Sequence, residues 1–201
     1  KAGIEKNTFV LFTSDNGGLG GYTSANKILP NGITDNAPLK GGKGMLYEGG
    51  IRVPMIVRWP GHIRPASTCS TPLITVDFYP TLAEIAGATL PKNQPSDGVS
   101  FVGLLHGKPL SERELFWHFP GYLQAYGYQG AWRTTPAAAV RQGDWKLIEF
   151  FEDGRLELYH TGRDIGESKN LVQAEPEVAA RLHKLMVDWR TRIKAPMPTR
   201  E

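Results

Sequence analysis

Asp15 and Asn16 stand side by side where an apolar, β-type run, Thr8-Phe9-Val10-Leu11-Phe12, gives way to Gly17 and Gly18. A carboxylate and an amide carbonyl are hard oxygen donors suited to Ca²⁺ or Mg²⁺, and the glycines let backbone pass close to an ion or an anion. The same residues also spell an Asn-Gly turn, a strong local signal for a hairpin. Lys43, flanked by Gly42 and Gly44, could carry an ammonium into a cleft and neutralise a negative oxygen, or be solvated as most lysines are. Lys40-Gly41-Gly42-Lys43-Gly44 lacks the spacing and the following Ser/Thr of a nucleotide P-loop. Glu48 and Arg52 share the next segment and suit a brace for the loop. His118, within Phe116-Trp117-His118-Phe119-Pro120, reads either as a packed imidazole or as a contact to a sugar ring. His62, after Pro60-Gly61, reads as a turn residue.

These residues need elements to position them. In open α/β sheets, strands buried on both faces read as continuous apolar runs, and ligands gather beyond their carboxyl ends. That places Asp15 and Asn16 at a cleft floor. A loop from Gly17 to about Gly50, dense in Gly, Asn and Pro, is of the structureless length that is usually functional or disordered. A second buried strand follows at 53–59, closed by Pro60-Gly61. Thr75 to Gly87 reads as a short helix with Asp77 as N-cap, Pro80 in its first turn, Gly87 at its exit, and Phe78, Leu82 and Ile85 facing the core. The stretch from Pro91 to Leu110 is punctuated by Pro and Gly, and a junction is expected near Ser111, dividing 1–110 from 111–201. Strand-like runs at 114–118, 138–141, 145–151 and 156–159 suggest a small antiparallel sheet. From Pro176 onward, Val178, Leu182, Leu185, Met186, Trp189 and Ile193 recur at helical spacing and form an apolar stripe that packs on that sheet.

Bulk properties narrow the classes. At 201 residues the chain can bury a real core. Its 23 Gly and 15 Pro make it rich in loops, where sites tend to lie. A net charge of +3, without a basic stripe, argues against nucleic acid and suits an anionic substrate equally well. Cys69 is the only cysteine, so neither a disulfide framework nor a zinc site is indicated. No apolar run reaches membrane-spanning length, and no signal segment opens the chain. Lys1 to Asn7 reads as the frayed end of a helix and a short loop, as if the chain began inside a domain.

Taken together, Thr13-Ser14-Asp15-Asn16-Gly17-Gly18 and the block from Gly42-Lys43-Gly44 through Glu48-Gly49-Gly50-Ile51-Arg52-Val53-Pro54 to Trp59-Pro60-Gly61-His62-Ile63 resemble the sulfatases of the alkaline-phosphatase-like superfamily. The likeness continues through Asp77-Phe78-Tyr79-Pro80-Thr81-Leu82, Arg141-Gln142-Gly143-Asp144-Trp145-Lys146-Leu147-Ile148 and Leu156-Glu157-Leu158-Tyr159, so it covers nearly the whole chain. It implies an α/β fold: the end of an alkaline-phosphatase-like α/β sandwich domain, followed by a small C-terminal antiparallel sheet packed by a helix. It also implies that Asp15 and Asn16 ligate a divalent cation, commonly Ca²⁺, and that Lys43 contacts the sulfate group of a sulfated small molecule or sulfated glycan. Cation and lysine together would offset charge that develops in the transition state. A periplasmic, extracellular or lysosomal setting follows from the resemblance alone.

The family's nucleophile is a formylglycine made from a Cys or Ser in a Cys/Ser-x-Pro-x-Arg context. Cys69-Ser70-Thr71-Pro72-Leu73 does not fit, since its proline falls one place late and no arginine follows. The family's early aspartate pair and central Lys and His residues are missing as well. The chain is thus expected to be the C-terminal portion of a sulfatase, inactive alone and weak for Ca²⁺, with the formylglycine supplied by an N-terminal portion. Other readings are a phosphate or phosphonate ester hydrolase of the same superfamily, and a non-catalytic module for sulfated glycans. Selectivity is expected between Leu110 and Pro136, where Trp117, His118, Tyr122, Tyr126, Tyr128 and Trp132 offer ring faces or pack between layers.

Overall fold

A computed structural model describes residues 2–20, 23–24, 27–28, 33–124 and 132–199. Along the chain run strand β1 (Val10–Thr13), the short pair β2 (Thr23–Ser24) and β3 (Lys27–Ile28), helix α1 (Glu48–Ile51), strand β4 (Met55–Arg58) and helices α2 (Phe78–Ile85) and α3 (Val102–Leu105). Then follow β5 (Glu114–Phe119), β6 (Leu123–Gln124), β7 (Trp132–Thr134), β8 (Ala137–Gln142), β9 (Trp145–Phe150), β10 (Leu156–His160) and α4 (Pro176–Ile193). Contacts divide the chain into two units, one of residues 1–12 and 55–112 and the other of 13–54 and 113–201.

In the first unit β1 pairs with β4. Both strands were expected to be buried on both faces, but their exposure alternates, and Val10, Phe12 and Ile56 are exposed. Successive strand side chains point to opposite faces, and in a two-stranded pair the described residues cover neither face fully. The expected helix begins as a 3₁₀ turn at Thr75–Asp77 before α2. Asp77 does not cap α2 with its side chain. Its buried carboxylate instead accepts from the Ile74 and Val99 amides at 2.9 and 3.0 Å, which ties the helix start to a distant loop. Of the expected core face, Leu82 is exposed, while Pro80 and Thr81 are buried. The Thr81 hydroxyl explains this, since it accepts from the amide of buried Phe101 at 3.0 Å and draws that side of α2 inward. His62 does sit in a turn, its amide bonded to the Trp59 carbonyl and its ring stacked on the Trp59 indole at 3.9 Å.

The second unit is built on a four-stranded antiparallel sheet in the order β10-β9-β8-β5. Its strands match the expected runs to within two residues, because alternating apolar residues and the Gly143 and Gly154 turns mark them clearly. Both faces are covered. Ala138, Val140, Leu147 and Leu158 pack against Ala179, Leu182 and Met186 of α4. On the other face Ala137, Ala139, Ile148 and Tyr159 are covered by Leu46 and Tyr47 of the long loop. Helix α4 carries Pro176 in its first turn and ends with Lys194 in the left-handed conformation (φ 52°), where the Ala195 amide closes the last turn onto the Arg190 carbonyl. Of its expected stripe, Val178, Leu182, Leu185 and Met186 pack on the sheet, with Leu182 and Met186 fully buried, and the Trp189 indole stacks on Phe116 at 4.7 Å, while Ile193 at the helix end is exposed.

Candidate active site

The described residues of the long loop are not structureless. The Gly17 amide donates to the Gly50 carbonyl at 2.9 Å, the Lys43 amide to Gly18 at 3.0 Å, and the Gly49 amide to Lys40 at 2.8 Å. These bonds sew the end of β1 to both ends of the segment carrying Lys43. The close approach explains two of the glycines. A Cβ on Gly17 would overlap the Gly49 carbonyl oxygen, and one on Gly42 would overlap that of Gly20. Asn36 locks the same seam: its side-chain amide donates to the carbonyls of Gly18 and Gly41, each at 3.0 Å. No signal in the sequence singled out Asn36, because an amide in a polar loop has many roles.

Asp15 and Asn16 lie directly after β1. Asp15 is exposed, and Asn16 donates its amide hydrogen to the Gly17 carbonyl at 2.9 Å, which turns its carbonyl oxygen the other way. The Ser14 hydroxyl donates to the Asn16 backbone carbonyl at 2.8 Å and fixes the turn. This is not a hairpin turn, since the strand does not fold back on a neighbour: the Gly17 amide leaves for Gly50. Two adjacent oxygen donors fit a hard cation in type and provide part of the six to eight ligands that Ca²⁺ takes. Among the described residues there is no cluster of three or more His, Cys, Asp or Glu able to hold a metal.

Two polar clusters fasten the Lys43 segment to the loop-facing side of the sheet. At one end Glu48, the first residue of α1, is buried and pairs with Lys146 of β9 at 3.0 Å. Lys146, fully buried, also pairs with buried Glu167 at 2.8 Å, and the second oxygen of Glu167 accepts from the Glu48 amide at 2.7 Å. Arg52 and Arg141 approach the other Glu48 oxygen at 3.3 and 3.6 Å. Burial works to raise the Glu48 carboxyl, but Lys146, Arg141 and Arg52 outweigh it and hold it below the usual range. Burial raises Glu167, and the single ammonium it shares does not reverse this. The Glu48–Arg52 brace expected from sequence is therefore present, with Lys146 as its buried centre. At the other end Lys40 donates to the Tyr159 hydroxyl at 3.0 Å and lies 4.1 Å from the centre of the Tyr47 ring.

The structure thus brings Asp15, Asn16 and Lys43 onto one seam. It does not bring His118 there. Alternation along β5 puts His118 with Phe116 on the α4 face, opposite the loop. Its ring meets Phe151 and Trp189, and Nε2 donates to the Pro196 carbonyl at 2.7 Å. Of the other ring faces noted between Leu110 and Pro136, Trp117 packs with Ala137 and Ile148. Tyr122 and Trp132 contact each other at 5.2 Å and are both exposed. Tyr126 and Tyr128 lie outside the described residues. Next to the Lys43 segment, Tyr47, Trp132, Arg133 and Phe150 help to line a recess of about 170 Å³.

Comparison with known proteins places this arrangement. Residues 42–192 match the family model described as N-sulphoglucosamine sulphohydrolase, C-terminal. A sulfatase of Formosa agariphila is 40% identical over 96% of this chain, which covers 35% of that protein. The structure of BT4656 in complex with its substrate D-glucosamine-2-N,6-O-disulfate aligns with a TM-score of 0.72 at 26% identity, over 98% of this chain and 36% of that one. The structure of Ps i-CgsB in complex with k-i-k-neocarrahexaose aligns with a TM-score of 0.71 at 28% identity, over 92% and 37%. The chain therefore spans about a third of the length of these relatives. Its mixed α/β fold, with the four-stranded sheet and closing helix, is that of the corresponding part of these alkaline-phosphatase-like proteins. Sequence and fold agree: the chain belongs to the sulfatase family, matching the C-terminal portion of its members.

Proposed function

We propose that this chain supplies the cation-binding strand end and the sulfate-binding lysine of a sulfuric ester hydrolase, whose formylglycine nucleophile and remaining metal ligands lie elsewhere in the whole protein. The observation that carries this reading is the bond from the Lys43 amide to Gly18, two residues beyond Asn16, reinforced by Asn36. A bound Ca²⁺ or Mg²⁺ would contribute Lewis-acid charge at the sulfate oxygens. Asp15 would give that cation one negative oxygen and Asn16 one neutral oxygen. Lys43 would place its ammonium where negative charge grows on the sulfate group, and the seam would hold it there without reorganisation.

Sulfated sugars are the substrate class favoured, because BT4656 and Ps i-CgsB bind carbohydrate in the complexes noted above. Export to a periplasmic, extracellular or lysosomal space accords with this. Among the described residues no helix is long and apolar enough to cross a membrane. The test is turnover of matched aryl sulfate and aryl phosphonate esters by the whole protein and its Lys43→Ala variant. Sulfate should be preferred, and the variant should lose about 100-fold to 1,000-fold in kcat, the scale of a lost oxyanion donor. Preference for the phosphonate, or no turnover of either ester, would refute the reading.

A further inference from the structure

We infer that Lys146 is a positioning residue for Lys43, acting through the buried Glu48–Lys146–Glu167 cluster; this rests on the sulfate-binding role proposed for Lys43. Lys146 sits in β9, and strand alternation turns it with Ile148 and Phe150 towards the loop. Its ammonium is fully buried and has a carboxylate on either side, at 3.0 and 2.8 Å. Such a centre is costly to assemble, because three charges leave water, and it loses most when one partner is removed. A fully apolar contact would close the loop over the sheet with less desolvation. The ions add direction: they fix the position and orientation of Glu48, and so of the turn that Glu48 begins.

The connection from there is continuous and short. Glu48 starts α1, and the next residue, Gly49, bonds to the Lys40 carbonyl. The residue after that, Gly50, accepts from the Gly17 amide beside Asn16, while Lys43 is held by Gly18. Lys146 therefore sets the height of the seam from below, although it touches neither substrate nor cation. Glu167 serves the same end from a second direction. Its Oε2 accepts the Glu48 amide, and its residue adopts a positive φ of 50°, a conformation costly for any residue with a Cβ. The loop after β10 is thus bent against its preference in a way that delivers this carboxylate.

A double-mutant cycle in the whole protein tests the inference. Lys146→Met should lower kcat for a sulfate ester by about 10-fold to 100-fold, as removal of a supporting partner commonly does, with a smaller change in KM. The decisive readout is coupling. If Lys146 acts by placing Lys43, adding Lys146→Met to Lys43→Ala should cost little further activity. A merely structural loss would reduce the folded fraction by the same factor in both backgrounds, so the losses would multiply. Where Lys146→Met fails to fold, Glu167→Gln carries the same cycle. It keeps the volume and one acceptor and should lower kcat by less than Lys146→Met, again without effect in the Lys43→Ala background. Multiplying losses, or variants as active as wild type, would overturn the positioning role while leaving the proposed function intact. An inactive wild type, or a Lys43→Ala variant equal to wild type, would overturn both.

Discussion

Tyr47 and Tyr159 donate to the same carboxylate oxygen, Oε2 of Glu157, at 2.7 and 2.6 Å. Tyr47 comes from the Lys43 segment and Tyr159 from β10, so one acid joins loop to sheet. Burial first, and then Glu157, push both phenols well above their ordinary 10.0.

The raised phenols predict loss of stability in base. A group whose folded pKa is raised holds its proton more tightly when folded, so its contribution is complete below the unfolded value and declines as pH rises above it. The melting temperature of the whole protein should therefore fall above about pH 10. Tyr47→Phe and Tyr159→Phe should each flatten that fall while costing about 1.5 to 3 kcal/mol at neutral pH, as one hydrogen bond to a charged acceptor is lost. An unchanged alkaline limb in both variants would contradict the arrangement.

Glu48 has the opposite sign. Its carboxyl lies below its ordinary 4.5, so its contribution is present above that value and is lost as pH falls through the depressed one. Glu48→Gln should be less stable than wild type at pH 7, and the difference should shrink as the pH drops below about 4.5. Thermal melts across the acid range would show this convergence; a constant gap would argue that Glu48 is not the ionised partner.

The seam predicts that a single methyl is intolerable in one place and welcome in another. Gly17→Ala would drive a Cβ into the Gly49 carbonyl and should cost about 1 to 3 kcal/mol or more, the scale of overpacking. Gly103→Ala, in α3, meets only an ordinary contact 3.7 Å away and should stabilise by about 0.5 to 1 kcal/mol through helix propensity. Equal melting temperatures for these two variants would remove the basis for the seam.

The cation-binding role proposed for Asp15 and Asn16 predicts metal dependence. In the whole protein a chelator should abolish sulfate-ester turnover, and Ca²⁺ or Mg²⁺ should restore it. Asp15→Ala should raise the cation concentration needed by at least about 10-fold, since affinity tracks ligand charge and count. Isothermal titration of the 201-residue chain should give weak Ca²⁺ binding, and an aryl sulfate assay of the same chain should give no turnover. Tight binding by the short chain would show that the ligand set is already complete within it.

What could be read from the sequence was whatever a repeating pattern or a local motif carries. The four sheet strands and α4 followed from alternation and the stripe of Leu182 and Met186, because a face buried on both strand and helix leaves a periodic trace. Lys146 left no such trace. A lysine inside Trp145-Lys146-Leu147-Ile148 suggests a solvated strand face, and only the loop lying over that face reverses the expectation. Glu167 was equally hidden, since its partner is 119 residues away. The exposure of β1 and of Leu82 in this chain has a related reason. Apolar character records that a face can be buried, not which residues of the chain bury it. His118 shows the limit of motif reading. Its aromatic neighbours in sequence alternate between faces, and the choice of face belongs to the sheet.

The glycine seam makes the separation between the Asp15 and Lys43 backbones a matter of directly packed peptide units. Its contacts run mostly from one peptide unit to another, so planar amides set the spacing of the two backbones and leave only the side chains free to adjust. Thermal motion of the exposed side chains around it would then leave the two backbone positions in register, so that only the Asp15 and Lys43 side chains need to move to meet a ligand.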